Sequence, residues 1–322
     1  MLKEIKYKIK IFSLRYSFTD DIYIFFKMLK DNFLKIFSDE KYSELYYKSR
    51  TGKKLNIANP TTFNEKIWWL KLNNRDPLLT LCTDKIKARE YVKECGLEHI
   101  LSEIDSVYER VSDIRFSELP EKAYIKTNHG SGTIKLWDKS APFDKKRFAK
   151  EFNRSLKQNY YWKSREWNYK NIKPMIVVEN IIGDGKDNSL IDYRFLCFDG
   201  VVKMIFVDKE TAAEDGSHNP HAKRNVYDRN FNYLDIEIGR DQFDRSIIKK
   251  PVNFEKMIDY AEVLSKPFPF CRVDFYNING VIIFGEMTFS PQGGTSNIKP
   301  VIYNKIMGDW INLQSDKIVL KE

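Results

Sequence analysis

Apolar and polar positions recur with two different periods along this chain, and the change from one to the other divides it. Residues 1 to 50 mix charges with large apolar groups at helical spacing and predict two or three amphipathic helices. In "NPTTFNEKIWWLKL", 59 to 72, the turn pair Asn59-Pro60 precedes the capping residues Thr61 and Thr62 and an apolar face with Trp68 and Trp69, which predicts a helix start. "TDKIKAREYVKECGL", 83 to 97, repeats the signal: Thr83 or Asp84 caps, Gly96 terminates, and Lys85 falls in the first turn. The texture then becomes strand, glycine loop and strand in "AYIKTNHGSGTIKLW", followed by the charged helical stretch "FDKKRFAKEFNRSLKQNYYWKSREW". After Pro174 come the strands "MIVVEN" and "DYRFLCFDGVVKMIFVD", polar loops between 209 and 250, and the hairpin "RVDFYNINGVIIFGEMTFSPQGG".

That hairpin carries acids where a half-buried sheet normally carries apolar groups. Asp274 lies among Val273, Phe275 and Tyr276, and Glu286 between "VIIFG" and "MTF". A buried, unpaired carboxylate is costly, so a cation must lie close: a metal ion, Arg272 or a lysine. Because side chains alternate along strands, the turn length decides which residues share a face. A two-residue Asn279-Gly280 turn separates Asp274 from Glu286. A three-residue loop, Ile278 to Gly280 with Gly280 left-handed, puts Arg272, Asp274, Glu286 and Thr288 together, with Arg272 facing Glu286. Convergence therefore calls for the odd loop, and a two-residue turn without a compensating bulge would break the site. Two carboxylates so placed suit Mg²⁺, and an Arg272–Glu286 ion pair on a solvated face is the plainer alternative.

Two other stretches carry possible chemistry. Lys126 precedes Thr127, Asn128, His129, Gly130, Ser131 and Gly132, where glycines let backbone N–H groups approach phosphate and the ammonium neutralises it. A plain hairpin with glycine turns would read the same, and the Walker and Rossmann patterns are absent. Glu179 and Asn180 close the strand "PMIVV", either as a turn or as a linker that reads an adenine edge.

Composition narrows the function classes. The chain has 322 residues, enough for two domains or one elaborate one, and its 42% apolar content is far from that of a disordered protein. Apolar runs such as "IYIFF" are too short to span a bilayer, and no signal-peptide pattern follows the basic N-terminus, so a cytoplasmic location is expected. Four scattered cysteines, Cys82, Cys95, Cys197 and Cys271, predict reduced thiols, and His218 and His221 in "HNPH" read as a polar loop. The net charge of +9 calls for an anionic partner. No nucleic-acid-binding pattern accompanies it, which leaves a nucleotide, an acidic glycan or an anionic membrane face. The densest basic group, Lys3, Lys6, Lys8, Lys10 and Arg15, either packs its helices on the body or rests them on such a membrane.

In order along the chain, Lys85, Lys126 before a glycine loop, Glu179 at a linker, and the Asp274/Glu286 hairpin ending in "SPQGG" resemble the ATP-grasp superfamily. The segments "NPTTFNEKIWWLKL", "TDKIKAREYVKE", "LPEKAYIKTNHGSG", "REWNYKNIKPMIVVEN", "DYRFLCFDG" and the hairpin are similar to its TupA-like branch, tied to teichuronopeptide and surface-polysaccharide biosynthesis. The resemblance implies an α+β ATP-grasp fold, two lobes clamping ATP behind an N-terminal helical extension. The expected divisions are a helical region 1–83, an N-terminal lobe 84–175 and a C-terminal lobe 176–322. It implies an ATP- and Mg²⁺-dependent ligase that activates a carboxylate, such as a hexuronic acid of a surface glycan, as an acylphosphate and joins it to an amino acid amine. A noncatalytic glycan- or membrane-binding shell and a polysaccharide glycosyltransferase are the alternatives. By the same resemblance Lys85 and Lys126 bind phosphates, and Glu179 with the backbone of Asn180 to Ile182 holds adenine. Asp184 or Asp192 accepts from ribose, and Asp274 and Glu286 bind Mg²⁺. Arg272 stabilises the developing oxyanion, and Arg194, Lys203, Lys223 and Arg224 are further phosphate or substrate residues. Thr288 stands where most of the superfamily has Asn, and its hydroxyl is the expected third metal or water contact.

Overall fold

The computed structural model describes residues 19, 22, 25, 26, 29, 32–183, 190–213 and 216–321. Asp184 and the basic group Lys3, Lys6, Lys8, Lys10 and Arg15 lie outside them. Two antiparallel sheets organise the chain. The smaller has the order β1-β4-β2-β3: β1 (Ile104–Tyr108), β2 (Lys122–Thr127), β3 (Ile134–Asp138) and β4 (Ile176–Asn180). Strand alternation divides its residues cleanly. Ala123, Ile125, Ile176 and Val178 are buried with Phe148 and Phe152 of helix Lys145–Leu156, whereas Tyr124, Lys126 and Glu179 face the other way. The change of sheet falls between β4 and the next strand, since β4 pairs with both β1 and β2.

The larger sheet has the order β11-β10-β5-β6-β7-β8, built from β5 (Asp192–Phe198), β6 (Val201–Lys209), β7 (Lys223–Asp228), β8 (Tyr233–Leu234), β10 (Phe270–Ile278) and β11 (Val281–Thr288), while β9 (Glu237–Ile238) pairs apart from it with Ile298–Lys299. Helix Phe254–Ser265 fills one face, with Phe254, Met257, Ile258, Ala261 and Leu264 against Phe195, Ile205, Cys271, Val273 and Phe275. On the opposite face the rows change character along each strand. Leu196, Phe198, Met204, Phe206 and Phe270 are covered by α1 (Phe63–Asn73) and α2 (Ile302–Asp309). Beyond the helices the same rows continue as Asp192, Arg194, Asp208, Arg272 and Asp274, which line or underlie an open cleft.

Local signals explain how α1 is set. Thr62 is its cap: the Thr62 hydroxyl accepts from Glu65 N at 3.3 Å and the Glu65 carboxylate accepts from Thr62 N at 3.0 Å. Gly308 of α2 lets the two helices meet, because a Cβ there would lie 2.8 Å from Phe63 N. Gly308→Ala is expected to cost about 1–3 kcal/mol by overpacking, read as a fall in Tm of several degrees in calorimetry; an unchanged Tm would contradict this packing. Arg165, fully buried, ties the preceding segment to the body through Asp39 at 2.9 Å and the carbonyls of Leu34 and Phe37 at 2.7 and 3.1 Å. All four cysteines are free thiols, three of them buried. Among the described residues no helix is long and apolar enough to cross a membrane.

Candidate functional site

Between the sheets lies a cleft of about 960 Å³, lined on one side by the β2–β3 loop and on the other by the charged end of the larger sheet. The loop is held from behind by Asn128. Its Nδ2 donates to Asp84 at 2.9 Å and to the Lys173 carbonyl at 3.0 Å, and its Oδ1 accepts from Met175 N at 2.7 Å. Gly130, Ser131 and Gly132 are left facing the cleft. Lys85 Nζ donates to the Gly130 carbonyl at 2.8 Å, and burial holds its ammonium below the usual range. Lys85 is not in a helix's first turn, as the sequence predicts. It sits in the turn before helix Ala88–Glu94, because the Asp84 carboxylate is drawn to Ile86 N and Asn128.

Lys126 and Glu179 project from neighbouring strands into the cleft and meet at 2.6 Å, so the acid at the linker is paired with the strand lysine. Asn180 and Ile182 line the same end, and the buried Asn180 Oδ1 has no partner among the described residues.

The acid-bearing hairpin converges by a different route from the three-residue loop expected of it. Ile278 pairs with Val281 across a two-residue turn, with Asn279 and Gly280 both left-handed at φ 51° and 85°, the geometry that matches strand twist in tight hairpins. Gly285 is then an unpaired bulge between Phe284, opposite Phe275, and Glu286, opposite Asp274. That extra residue restores the parity the short turn would lose. Asp274, rather than Arg272, therefore faces Glu286, and Arg272 faces Thr288. Arg272 binds Asp274 through two bonds of 2.7 and 2.6 Å and reaches Glu286 at 3.0 Å, where the Thr288 hydroxyl also donates at 3.3 Å. Burial pushes the Asp274 carboxyl up to about 6 against the pull of Arg272 and Arg194. Burial also opposes the Glu286 charge, but Arg272 and Lys85 hold that carboxyl below the ordinary range.

The pairing continues across the sheet as a charged floor. Glu286, Asp274 and Arg194 stand in register on β11, β10 and β5, and Tyr276, Asp192, Asp208 and Arg224 on β10, β5, β6 and β7. Asp208 is completely buried and takes Arg224 through two bonds of 2.6 Å, Arg240 at 2.8 Å and Arg194 at 2.9 Å. Although burial disfavours its charge, these guanidiniums hold its carboxyl far below the usual carboxylate range. Asp192 accepts from the Thr211 hydroxyl at 2.7 Å and lies 3.5 Å from Arg194. Arg194, Arg224 and Arg240 all reach the cleft, whereas Lys203 does not. Leu196 and Cys197 pair with Met204 and Val202, so Lys203 is the extra residue of a bulge and points to solvent; Lys223, at the outer end of β7, is exposed as well. Sequence reasoning missed Asp208, Arg240 and the buried Glu166 of the cleft wall. The acid ending the run "MIFVD" was the available signal for Asp208.

The donors available to a metal are two carboxylates and a hydroxyl, and among the described residues no group of three or more His, Cys, Asp or Glu gathers at the hairpin or away from it. Mg²⁺ bound with substrate phosphates uses one or two protein carboxylates and fills its other positions with water and phosphate oxygens, which the hairpin fits.

A glycine loop and lysines facing an acidic hairpin across a two-sheet cleft define an ATP-grasp architecture. The chain belongs to the TupA-like ATPgrasp family, whose model matches residues 65–312. No curated protein matches it. Among solved structures it is similar to D-alanine–D-alanine ligase from Bacillus anthracis, with 16% identity over 69% of this chain and 63% of that one and a TM-score of 0.38. It is also similar to L-amino acid ligase from Bacillus licheniformis, with 14% identity over 66% and 44% and a TM-score of 0.37. Phosphoribosylamine–glycine ligase from Thermotoga maritima gives 12% identity over 69% and 52% and a TM-score of 0.40. The chain thus spans from 44% to 63% of the length of these structures.

Proposed function

We propose that the protein is an ATP-dependent carboxylate–amine ligase of surface-polysaccharide biosynthesis. The convergence of Arg272, Asp274, Glu286 and Thr288 opposite Lys85, Lys126 and the glycine loop carries this reading. In it, the loop N–H groups with Lys85 and Lys126 hold the triphosphate, and the linker from Glu179 to Ile182 takes the adenine. Asp192 serves the ribose. Asp274 and Glu286, with help from Thr288, would hold Mg²⁺, which would supply charge neutralisation for the moving phosphoryl group. A substrate carboxylate oxygen attacks the γ-phosphorus, ADP departs, and Arg272 stabilises the charge that develops at the acyl centre. An amine then attacks the acylphosphate carbon, phosphate leaves, and an amide remains.

The carboxylate partner fits the basic end of the cleft, where Arg224 and Arg240 surround Asp208 with more positive than negative charge. A hexuronic acid on a capsule, O-antigen or cell-wall glycan, assembled at the cytoplasmic membrane face, is the acceptor in this reading, and an amino acid supplies the amine. The exposed apolar residues Ile22, Phe25, Phe26, Leu29, Phe33 and Ile36 support peripheral membrane contact. Incubation with MgATP, a uronic-acid glycan and mixed amino acids should release phosphate in step with amide formation. Nucleotide binding without turnover for any acceptor mixture would leave a noncatalytic shell instead.

A further inference from the structure

The cleft lining is mainly basic, as suits a nucleotide and a carboxylate, yet the remaining reactant of an amide ligase arrives as a cation. Five acids line the cleft among the described residues, and four of them already have a lysine or arginine within 4.0 Å: Glu179 has Lys126, Asp192 has Arg194, and Asp274 and Glu286 share Arg272. The fifth is Glu166, only 7% exposed and without an ion-pair partner at that distance among the described residues. A nine-tenths buried carboxylate that lines a cavity with no lysine or arginine within 4.0 Å among the described residues leaves room for a cationic ligand at closer range.

Its surroundings place it beside the phosphate end. Tyr160 and Tyr169 form the adjoining wall with ring centroids 4.7 Å apart, and Tyr160 packs over Gly130 of the glycine loop. The Glu286 charge acts on Glu166 and on both tyrosines. Lys71 and Lys163, whose charges also act on Glu166 together with a hydrogen bond from Ser164, are held elsewhere: Lys71 Nζ donates to the Gly293 carbonyl at 3.1 Å and lies 3.2 Å from the centroid of the Trp68 ring, and Lys163 Nζ lies 4.7 Å from the centroid of the Tyr160 ring. Burial pushes the Glu166 carboxyl up and the Lys71 ammonium down, each opposed by the other's charge. An arriving cation would draw out the carboxylate form.

Resting on the ligase reading, we infer that Glu166, walled by Tyr160 and Tyr169, is the seat of the amine substrate's primary ammonium group. The aromatic walls exclude water and add cation–π attraction, while the carboxylate accepts from the ammonium N–H groups and takes the proton that the nitrogen loses before it attacks the acylphosphate.

The test is calorimetric titration of the MgAMP-PNP-loaded protein with the twenty proteinogenic amino acids, D-alanine, D-glutamate and ethanolamine. At least one amine should bind the wild type. Glu166→Gln should weaken that amine at least about 10-fold, the loss of a charge-assisted hydrogen bond, with AMP-PNP affinity unchanged, and Glu166→Asp should recover part of it. Equal amine affinity in wild type and Glu166→Gln would overturn the subsite and leave Glu166 as a counter-charge for Lys71. So would a wild-type protein that binds AMP-PNP and none of the amines. Failure of the wild type to bind MgAMP-PNP would instead sink the ligase reading itself.

Discussion

Glu286→Gln is expected to lower MgATP-dependent turnover at least about 100-fold, the scale on which single charge-stabilising groups act on a transition state, and to raise the Mg²⁺ concentration needed for half-maximal rate. The substitution keeps the shape of the side chain and removes its charge. Its structural cost is small because the Glu286 side chain is half exposed to the cleft and Arg272 retains both bonds to Asp274, at 2.7 and 2.6 Å. Asp274→Asn is a poorer probe. Asp274 is buried between Arg272 and Arg194, and removing its charge leaves two guanidiniums short of a partner, a change that costs about 3–5 kcal/mol when a buried pair is broken. Steady-state kinetics across a Mg²⁺ series, with a melting curve as control, separates the two effects. Turnover and Mg²⁺ requirement unchanged in Glu286→Gln would remove the metal assignment.

Residues governed by local pattern were legible in the sequence. Alternation in β2 puts Lys126 on the face opposite Ala123 and Ile125, and Thr62 with Glu65 marks the start of α1. What escaped was set by partners far along the chain. Lys85 leaves the helical geometry its context predicts because Asp84 is claimed by Asn128, 44 positions on. Asp208 and Arg240 look like ordinary charges near loops until β5, β7 and the segment after Ile238 bring three arginines around one buried carboxylate on β6. Glu166 sits in a stretch whose charge density reads as a solvated helix, yet it is buried. Lys203 shows the same limit from the other side: a bulge turns it to solvent without altering the apolar pattern around it. Parity arguments locate a pair of residues only if every insertion in the ladder is known, and a bulge leaves almost no trace in composition.

Gly285 is the position where that limit becomes an experiment. It offers no side chain to ATP or metal, but it is the unpaired residue that lets Glu286 face Asp274 behind a two-residue turn. A Cβ at Gly285 would lie 3.1 Å from the Asp274 carbonyl oxygen and 3.5 Å from the Asp274 Cβ. Valine adds two further carbons in that space, and the regular ladder that would replace the bulge sets residue 285 opposite Asp274 and turns Glu286 to the far face. Gly285→Val is therefore expected to lower turnover at least about 10-fold and raise the Mg²⁺ requirement, with overpacking costing about 1–3 kcal/mol of stability. Gly285→Ala should fall between it and the wild type. Deleting Gly285 separates crowding from parity, because a ladder one residue shorter still places Glu286 opposite Asp274. The deletion should retain more activity than the valine variant at equal Mg²⁺, and the reverse order in paired kinetic and melting measurements would refute the bulge as the device that assembles the site.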